Sequence, residues 1–418
     1  MPNQSYDLVV IGGGASGLMC AYKAASRGLK VAILDPNAKA GRKLRITGKG
    51  RCNITNACDV NEVLKNISGD GRFLYSALNR FSPYDVMSFF EEQGLELKTE
   101  RGNRVFPVSD NANDVADLLS GLCVRNGVRT IHGTARKLNC YDGRVQYVIS
   151  SEGEEIDCRA AAICTGGLSY PLTGCDGSGY KLARSAGHSI IEPRPSLIPL
   201  ESDDGYCSEL QGFAPKNVVL RAYENDKLIY REMGEMLFTH FGVSGPLVLT
   251  ASAHMRNMGT ASYRLEIDFK PALDDKKLDA RILRDFDEYK NKTFKNMLPG
   301  LVGKSMVPVM IRLSGIDADT PVNSITHEQR VRLRGLLKAF PVSVSGTRPI
   351  AEAIVTSGGV NTREVNPRTM ESKLVKGLYF AGEVLNLDAY TGGFNLQIAW
   401  STGYVAGESV LSEELKNE

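Results

Sequence analysis

Little in this 418-residue sequence points outward: it has no excess of either charge, no paired-cysteine pattern, no long apolar run and a single Trp. Fifty Lys and Arg face 48 Asp and Glu, a formal net charge of +2. That balance gives no support for bulk attraction to nucleic acid or to an acidic membrane, so neither is expected as a partner. The nine cysteines contain no Cys-x-x-Cys, and even Cys52 and Cys58 have five residues between them. Scattered thiols of this kind read as reduced and structural, in a cytoplasmic setting. No stretch of about 18 apolar residues is present, which excludes a membrane-spanning helix. The first apolar run contains Asp7 and follows no basic segment, unlike a secretory signal. The five His and nine Cys show no ligand spacing, so no metal is expected.

What is abundant is glycine, 42 residues, gathered in short runs: Gly12-Gly13-Gly14, Gly166-Gly167, Gly358-Gly359 and Gly392-Gly393. Glycine has no Cβ, and clusters of it suggest backbone that approaches a ligand closely. The first cluster has a clear setting. Tyr6–Ile11 reads as a buried parallel strand, Ala15 to about Arg27 as a helix, and Lys30–Leu34 as a second strand ending at Asp35. Between the first strand and the helix lies Gly12-x-Gly14-x-x-Gly17. Gly12 permits the tight turn, Gly14 admits a pyrophosphate, and Gly17 lets helix pack on strand. The helix start, including Ala15 and Ser16, offers free amides to the phosphates. Asp35, 18 residues beyond Gly17, is placed to accept from a ribose. This fingerprint alone does not separate FAD from NAD.

Four further segments extend the reading. Gly41–Asn53 is a glycine-rich loop with cations Arg42, Lys43, Arg45, Lys49 and Arg51, expected to lie along adenosine and pyrophosphate and to involve Gly50, Cys52 and Asn53. Ala160–Cys164 is a short strand running into Thr165-Gly166-Gly167. Gly377–Gly382 is a strand that leads to Glu383, expected to meet the ribityl chain or pyrophosphate. Thr391-Gly392-Gly393-Phe394-Asn395-Leu396-Gln397 opens a last helix, whose positive end suits the anion of a reduced flavin. Each is weak alone. Their order around one Rossmann start favours FAD, whose length needs sites at both chain ends. FAD is therefore the expected cofactor, and NAD(P)H a transient donor.

These motifs carry a resemblance. The sequence resembles the bacterial BaiN-type, aminoacetone-oxidase-like NAD(P)/FAD-dependent oxidoreductases over essentially its whole length. The signatures are Gly12–Gly17, Gly41–Asn56, Thr165–Gly179, Leu237–Pro246 and Thr356–Trp400. The resemblance implies non-covalent FAD and an α/β fold of glutathione-reductase type: a Rossmann-like FAD domain interrupted by a β-barrel domain and a small helical domain. The pattern along the chain suggests 1–189 and 356–418 for the FAD domain, 190–272 and 339–355 for the barrel, and 273–338 for the helices. Asp35 departs from the Glu that many FAD enzymes carry.

The expected activity is hydride transfer between NAD(P)H, bound FAD and a small organic substrate. An oxygen-using substrate oxidase, a thiol–disulfide flavoprotein built on Cys52 and Cys58, a flavin-dependent tRNA-modifying enzyme and a non-enzymatic FAD sensor stay open beside it. His240, in the Leu237–Pro246 signature, is the candidate acid/base, against the plainer reading of a turn-stabilising His. Tyr170 and Tyr390 are candidates to line the flavin pocket. His188 and His254 read as structural.

Overall fold

In the computed structural model, residues 5–412 are described; the outermost ends of the two expected FAD-domain segments, 1–4 and 413–418, lie outside them. The chain packs as two units. One comprises the residues up to Ser196 together with those from Ile350 onward, and the other is Leu197–Pro349. The divisions fall at 196/197 and 349/350, where the sequence pattern suggested 189/190 and 355/356.

The first unit is built on a mixed sheet. Strand β1 (Tyr6–Ile11) lies between β2 (Val31–Asp35) and Glu155–Ile163, parallel to both. Arg129–His132 extends the sheet beyond β2, and Leu378–Phe380 pairs in parallel with Ala161–Ile163. Strand β1 reads Leu-Val-Val-Ile because both of its faces are covered; Leu8, Val9 and Val10 have no exposed surface. The strand expected at 160–164 spans Glu155–Ile163, since its polar first third pairs in a meander with Arg144–Ser150. Four shorter elements escaped the sequence pattern: Leu97–Glu100 and its partner Arg104–Pro107, the helix Ser178–Ser185, and Ile190–Ser196, which pairs with Val355–Val360 in the stretch read as β.

Helix α1 (Ala15–Ala25) packs along the last helix, Phe394–Ser409, and thereby joins the two chain ends. The close approach depends on missing side chains. A Cβ on Gly403 would lie 2.4 Å from Ser16 O, and one on Gly407 2.3 Å from Cys20 O. Trp400, fully buried, donates its indole N–H to Ile54 O at 2.9 Å, so its polar edge is satisfied inside the core. Helix Pro83–Glu92 starts on a capping box, in which Ser82 and Asp85 satisfy each other's backbone amides.

The second unit holds two four-stranded antiparallel sheets and a set of helices around its own hydrophobic cluster. One sheet runs Lys227–Gly234, Val218–Glu224, Tyr263–Asp268, Phe340–Val344; the other runs Leu237–Thr239, Gly242–Ser244, Leu200–Glu201, Gly346–Thr347. The charged stretch after residue 273 forms Asp275–Glu288, Phe294–Met297, Val307–Ser314 and His327–Lys338, each turning apolar residues such as Leu278, Ile282 and Leu333 inward. Among the described residues no helix is long and apolar enough to cross a membrane.

Candidate dinucleotide and flavin site

The turn after β1 has the shape its glycines suggest. Gly12 sits at φ +102°, and a Cβ there would lie 2.7 Å from Cys164 O. A Cβ on Gly17 would be 1.9 Å from Gly12 O, so the helix can start only over a bare Cα. Gly14 differs: a Cβ there meets nothing within 4 Å. Here the protein leaves open room where the fingerprint calls for a pyrophosphate. Helix α1 begins at Ala15 with no side-chain cap and no acid in its first turn. Its first amides and positive dipole end are left for an anion, and the residues fit FAD in this respect. Ser16 takes a different part, its hydroxyl donating to Ala381 O at 3.1 Å.

Asp35 is where it was expected, closing β2, but its carboxylate is engaged by the protein. Oδ2 accepts the Gly13 amide at 2.5 Å and Oδ1 the Asn37 amide at 2.7 Å. The acid thus pins the glycine turn to the strand end. Each oxygen keeps a second lone pair for a ribose.

The basic loop departs from its expected role in part. Arg45 pairs with Asp117 at 2.6 Å, and Arg51 pairs with Glu100 and Asp110, each at 2.5 Å, over the Phe106 ring. The Arg51 charge is compensated by two carboxylates, which corrects the picture of a cation held for phosphate. Hydrogen bonding to Arg51 holds Glu100 below its ordinary pKa; Lys98 first and Arg51 second do the same for Asp110. Arg42 makes a 3.3 Å contact with Asn37 Oδ1 and is otherwise exposed. Gly50, at φ +85°, borders open space. Cys52 has no exposed surface, and burial pushes its thiol up to about 12; Cys58 rises to about 11 for the same reason. Burial thus disfavours the thiolate at both positions, which weighs against a thiol–disulfide mechanism.

Lys43 links motifs that are far apart in sequence. Its ammonium lies 2.6 Å from both Glu383 Oε2 and Ser169 Oγ. Glu383 Oε1 accepts from Ser169 Oγ and from the Thr356 amide, each at 2.9 Å. Thr356 Oγ1 in turn accepts the Leu168 amide at 2.8 Å. Burial alone would lower the Lys43 pKa; the adjoining Glu383 outweighs it and holds the ammonium above its ordinary value. Glu383 was expected to meet the cofactor directly, and its carboxylate is instead shared between Lys43 and this network. Gly167 lies at the network's centre, since a Cβ there would be 2.3 Å from Thr356 Oγ1. Gly166 turns at φ +72°. Two buried hydroxyls, Thr165 Oγ1 and Tyr180 OH, have no hydrogen-bond partner among the described residues. Gly382 turns at φ +79°, donates its amide to Thr402 Oγ1 at 2.9 Å, and a Cβ there would strike Ser16 Oγ.

The start of the last helix is similarly bare. Gly393, at φ +99°, caps it without any side-chain bond of its own, and the first turn carries no acid. Asn53, with its amide oriented by its neighbours, accepts the Gly393 amide at 2.9 Å and donates to Thr55 O and Val105 O. Asn56 holds Gly392 O at 3.1 Å. Asn395 clamps Ala389 through both backbone groups, at 2.9 and 2.7 Å, and so shapes the loop into the helix. Phe394 does not face a ligand space; it is packed in the hydrophobic core.

His240 lies in the second unit, exposed on the turn between Leu237–Thr239 and Gly242–Ser244, with its ring 5.0 Å from Phe241. Tyr170 is exposed at φ +52°, and Tyr390 is half-buried with its amide on Asn66 O. His188 is buried, its Nε2 2.7 Å from Ser372 Oγ. Ser169, Thr356, Tyr180 and the buried acid Asp388, which accepts from Ser196 at 2.8 Å, were not picked out from sequence. Ser169 lies within Thr165–Gly179 and Thr356 opens Thr356–Trp400, so the signatures held the signal without showing which residue carried it.

An open glycine turn, two bare helix starts and a polar network between them define a flavin-binding Rossmann protein of the oxidoreductase class. Residues 6–409 match the HI0933-like protein Rossmann domain, and the chain belongs to that family of FAD-dependent oxidoreductases, the BaiN type. It is 31% identical over 407 residues to the 3-dehydro-bile acid delta(4,6)-reductase of Clostridium scindens, covering 96% of this chain and 98% of that one. It is 30% identical over 411 residues to the ribosomal RNA dihydrouridine synthase of Escherichia coli, covering 98% and 99%. Among solved structures it is similar in fold to a 3-ketosteroid delta1-dehydrogenase from Sterolibacterium denitrificans, with a TM-score of 0.53 at 12% identity, covering 98% of this chain and 100% of that one.

Proposed function

We propose that this protein is an FAD-dependent reductase that saturates a carbon–carbon double bond conjugated to a carbonyl in a small organic substrate, with NAD(P)H as the electron donor. The observation that carries the reading is the shared chemistry of its full-length relatives: a delta(4,6)-reductase of 3-dehydro-bile acid and a synthase of dihydrouridine each remove such a double bond. Reduction adds a hydride at one carbon and a proton at the other, while charge develops on the carbonyl. FAD, when bound, supplies the two-electron chemistry.

The residues of the chain hold and orient. The Gly12–Gly17 turn and the first amides of α1 take the pyrophosphate, and Asp35 faces the ribose from the strand end. Lys43, Ser169, Thr356 and Glu383 fix the Thr165–Gly167 loop. Asn53 and the Gly392–Gly393 turn present the positive end of the last helix. His240 is the proposed acid/base. The sequence has no second strand–GxGxxG unit, so NAD(P)H and substrate would use the same flavin face in turn.

The test is an anaerobic titration of FAD-loaded protein with NADH and NADPH, followed at the flavin absorbance near 450 nm. Bleaching by either nucleotide, reversed by a steroid 4-en-3-one or another conjugated enone, supports the reading. No bleaching of a protein that photoreduces normally refutes NAD(P)H as donor and favours a substrate oxidase or a sensor. A second reading has its own support. Two relatives, from Escherichia coli and Haemophilus influenzae, are named ribosomal RNA dihydrouridine synthase, which makes a uracil base in RNA the alternative acceptor. Reoxidation by uridine-containing ribosomal RNA, but by no small enone, would establish that reading and overturn the expectation of no nucleic-acid partner.

A further inference from the structure

The second unit carries a cleft of its own, of 380 Å³. Small-molecule sites run from about 300 to 1,000 Å³, so the size suits a compact ligand. It is walled by the segment entering Val218–Glu224, by Phe269 and Lys270 just beyond Tyr263–Asp268, and by Pro299–Gly303 with Met306. Phe213, Phe269, Val302 and Met306 supply its apolar surface. Its ionisable lining is Lys216 and Lys270, and no acid lines it.

Two acids lie nearby and neither forms an ion pair with Lys270. Asp268 lies 2.6 Å from the Lys338 ammonium, and its other oxygen accepts the Lys270 backbone amide at 2.9 Å. Asp285, the other carboxylate near Lys270, is bonded through Oδ1 to Arg281 at 2.7 Å, and its buried Oδ2 has no hydrogen-bond partner among the described residues. Lys270 makes no ion pair among the described residues. Burial first, and then Arg281, lower its pKa, so its charge is held at a cost that an arriving anion would relieve. A half-buried cation without a partner, beside two aromatic rings, is the arrangement that takes a charged head on a flat apolar body.

We propose that this cleft binds a small organic anion, a carboxylate or sulfonate carried on an aromatic or alicyclic body. The charge rests on Lys270 and Lys216, and the body lies against Phe213 and Phe269.

The probe for the test is 1-anilinonaphthalene-8-sulfonate, titrated by fluorescence into the FAD-loaded protein. One saturable site per chain is expected. Lys270→Gln should weaken it at least tenfold. Gly303→Leu should do the same by filling the cleft, since a Cβ at Gly303 already comes 3.0 Å from the Phe213 ring. Lys276→Gln, on helix Asp275–Glu288 outside the lining, is the control and should leave binding unchanged. Each variant is compared at an unchanged melting temperature; where Lys270→Gln fails to fold, Gly303→Leu decides. Equal probe affinity in wild type and Gly303→Leu, or no saturable site in the wild type, would overturn the proposal. Displacement of the probe by an equal concentration of inorganic phosphate at matched ionic strength would also overturn it, because the apolar body would then contribute nothing.

Discussion

The glycine turn makes a prediction in which stability and cofactor binding separate. Gly14 has φ −80° and ψ −169°, an extended conformation open to any residue, and a Cβ there touches no protein atom within 4 Å. Gly14→Ala should leave the FAD-free protein as stable as wild type, or more stable by up to about 1 kcal/mol through a less flexible unfolded chain. The methyl group would occupy the room that the proposed site gives to the pyrophosphate. An intruding methyl in a packed site costs about 1–3 kcal/mol, which corresponds to roughly 5- to 150-fold weaker FAD binding. Gly17→Ala reverses the pattern. Its Cβ would sit 1.9 Å from Gly12 O, a backbone atom that cannot swing aside, so helix α1 must shift. The FAD-free protein should lose on the order of 3 kcal/mol. The assay pairs urea unfolding of both FAD-free variants with flavin-fluorescence titration. Wild-type FAD affinity in Gly14→Ala, or clear destabilisation of its FAD-free form, would refute the assignment of that space to the cofactor.

Four further outcomes are expected. Lys43→Met leaves Glu383, about one-fifth exposed, without its cation; the loss should be about 1–3 kcal/mol, less than for a fully buried pair, and unchanged melting with and without FAD would show that the pair does not hold the site together. Burial lowers the His188 pKa against the weaker pull of Glu364 3.3 Å away, so the unfolded chain takes up a proton that the folded one resists; the associated stability is complete above about pH 6.5 and lost as pH falls below it, and His188→Gln should flatten that slope in urea unfolding at several pH values. A Cys52→Ser, Cys58→Ser double variant should bleach with NAD(P)H within about twofold of wild type, since burial disfavours the thiolate at both positions; lost turnover would restore the disulfide mechanism. His240→Gln should lower kcat about 100-fold or more while NAD(P)H bleaching continues, and unchanged turnover would leave His240 as a turn residue only.

Much of the nucleotide fold was legible because its signals are local. A bare Cα at Gly12 or Gly17 is demanded by the backbone within a few residues, and the apolar run at Leu8–Ile11 reports a strand covered on both faces. The joining of the chain ends was legible too, from the order of the glycine motifs. The polar assignments fared differently. Arg51 was read beside its sequence neighbours, whereas its partners, Glu100 and Asp110, arrive from and beside a strand pair that the alternation pattern did not reveal. Asp35 was read as a ribose acceptor, and the structure adds a second part the sequence did not show, its hold on the amides of Gly13 and Asn37. Phe394 was grouped with its glycine neighbours, and its side chain went to the core.

By itself, the sequence determined where the chain must turn tightly, which strands are buried and which helix starts lie bare, because those follow from side-chain volume, backbone freedom and periodicity over a few residues. Only the tertiary structure decided which charges meet. Lys43 and Glu383 stand 340 positions apart, and they pair because Leu378–Phe380 lies beside Glu155–Ile163 and brings the Gly382–Glu383 turn against the Thr165–Gly167 loop. Electrostatic pairing depends on distance in space, which no local pattern of residues encodes.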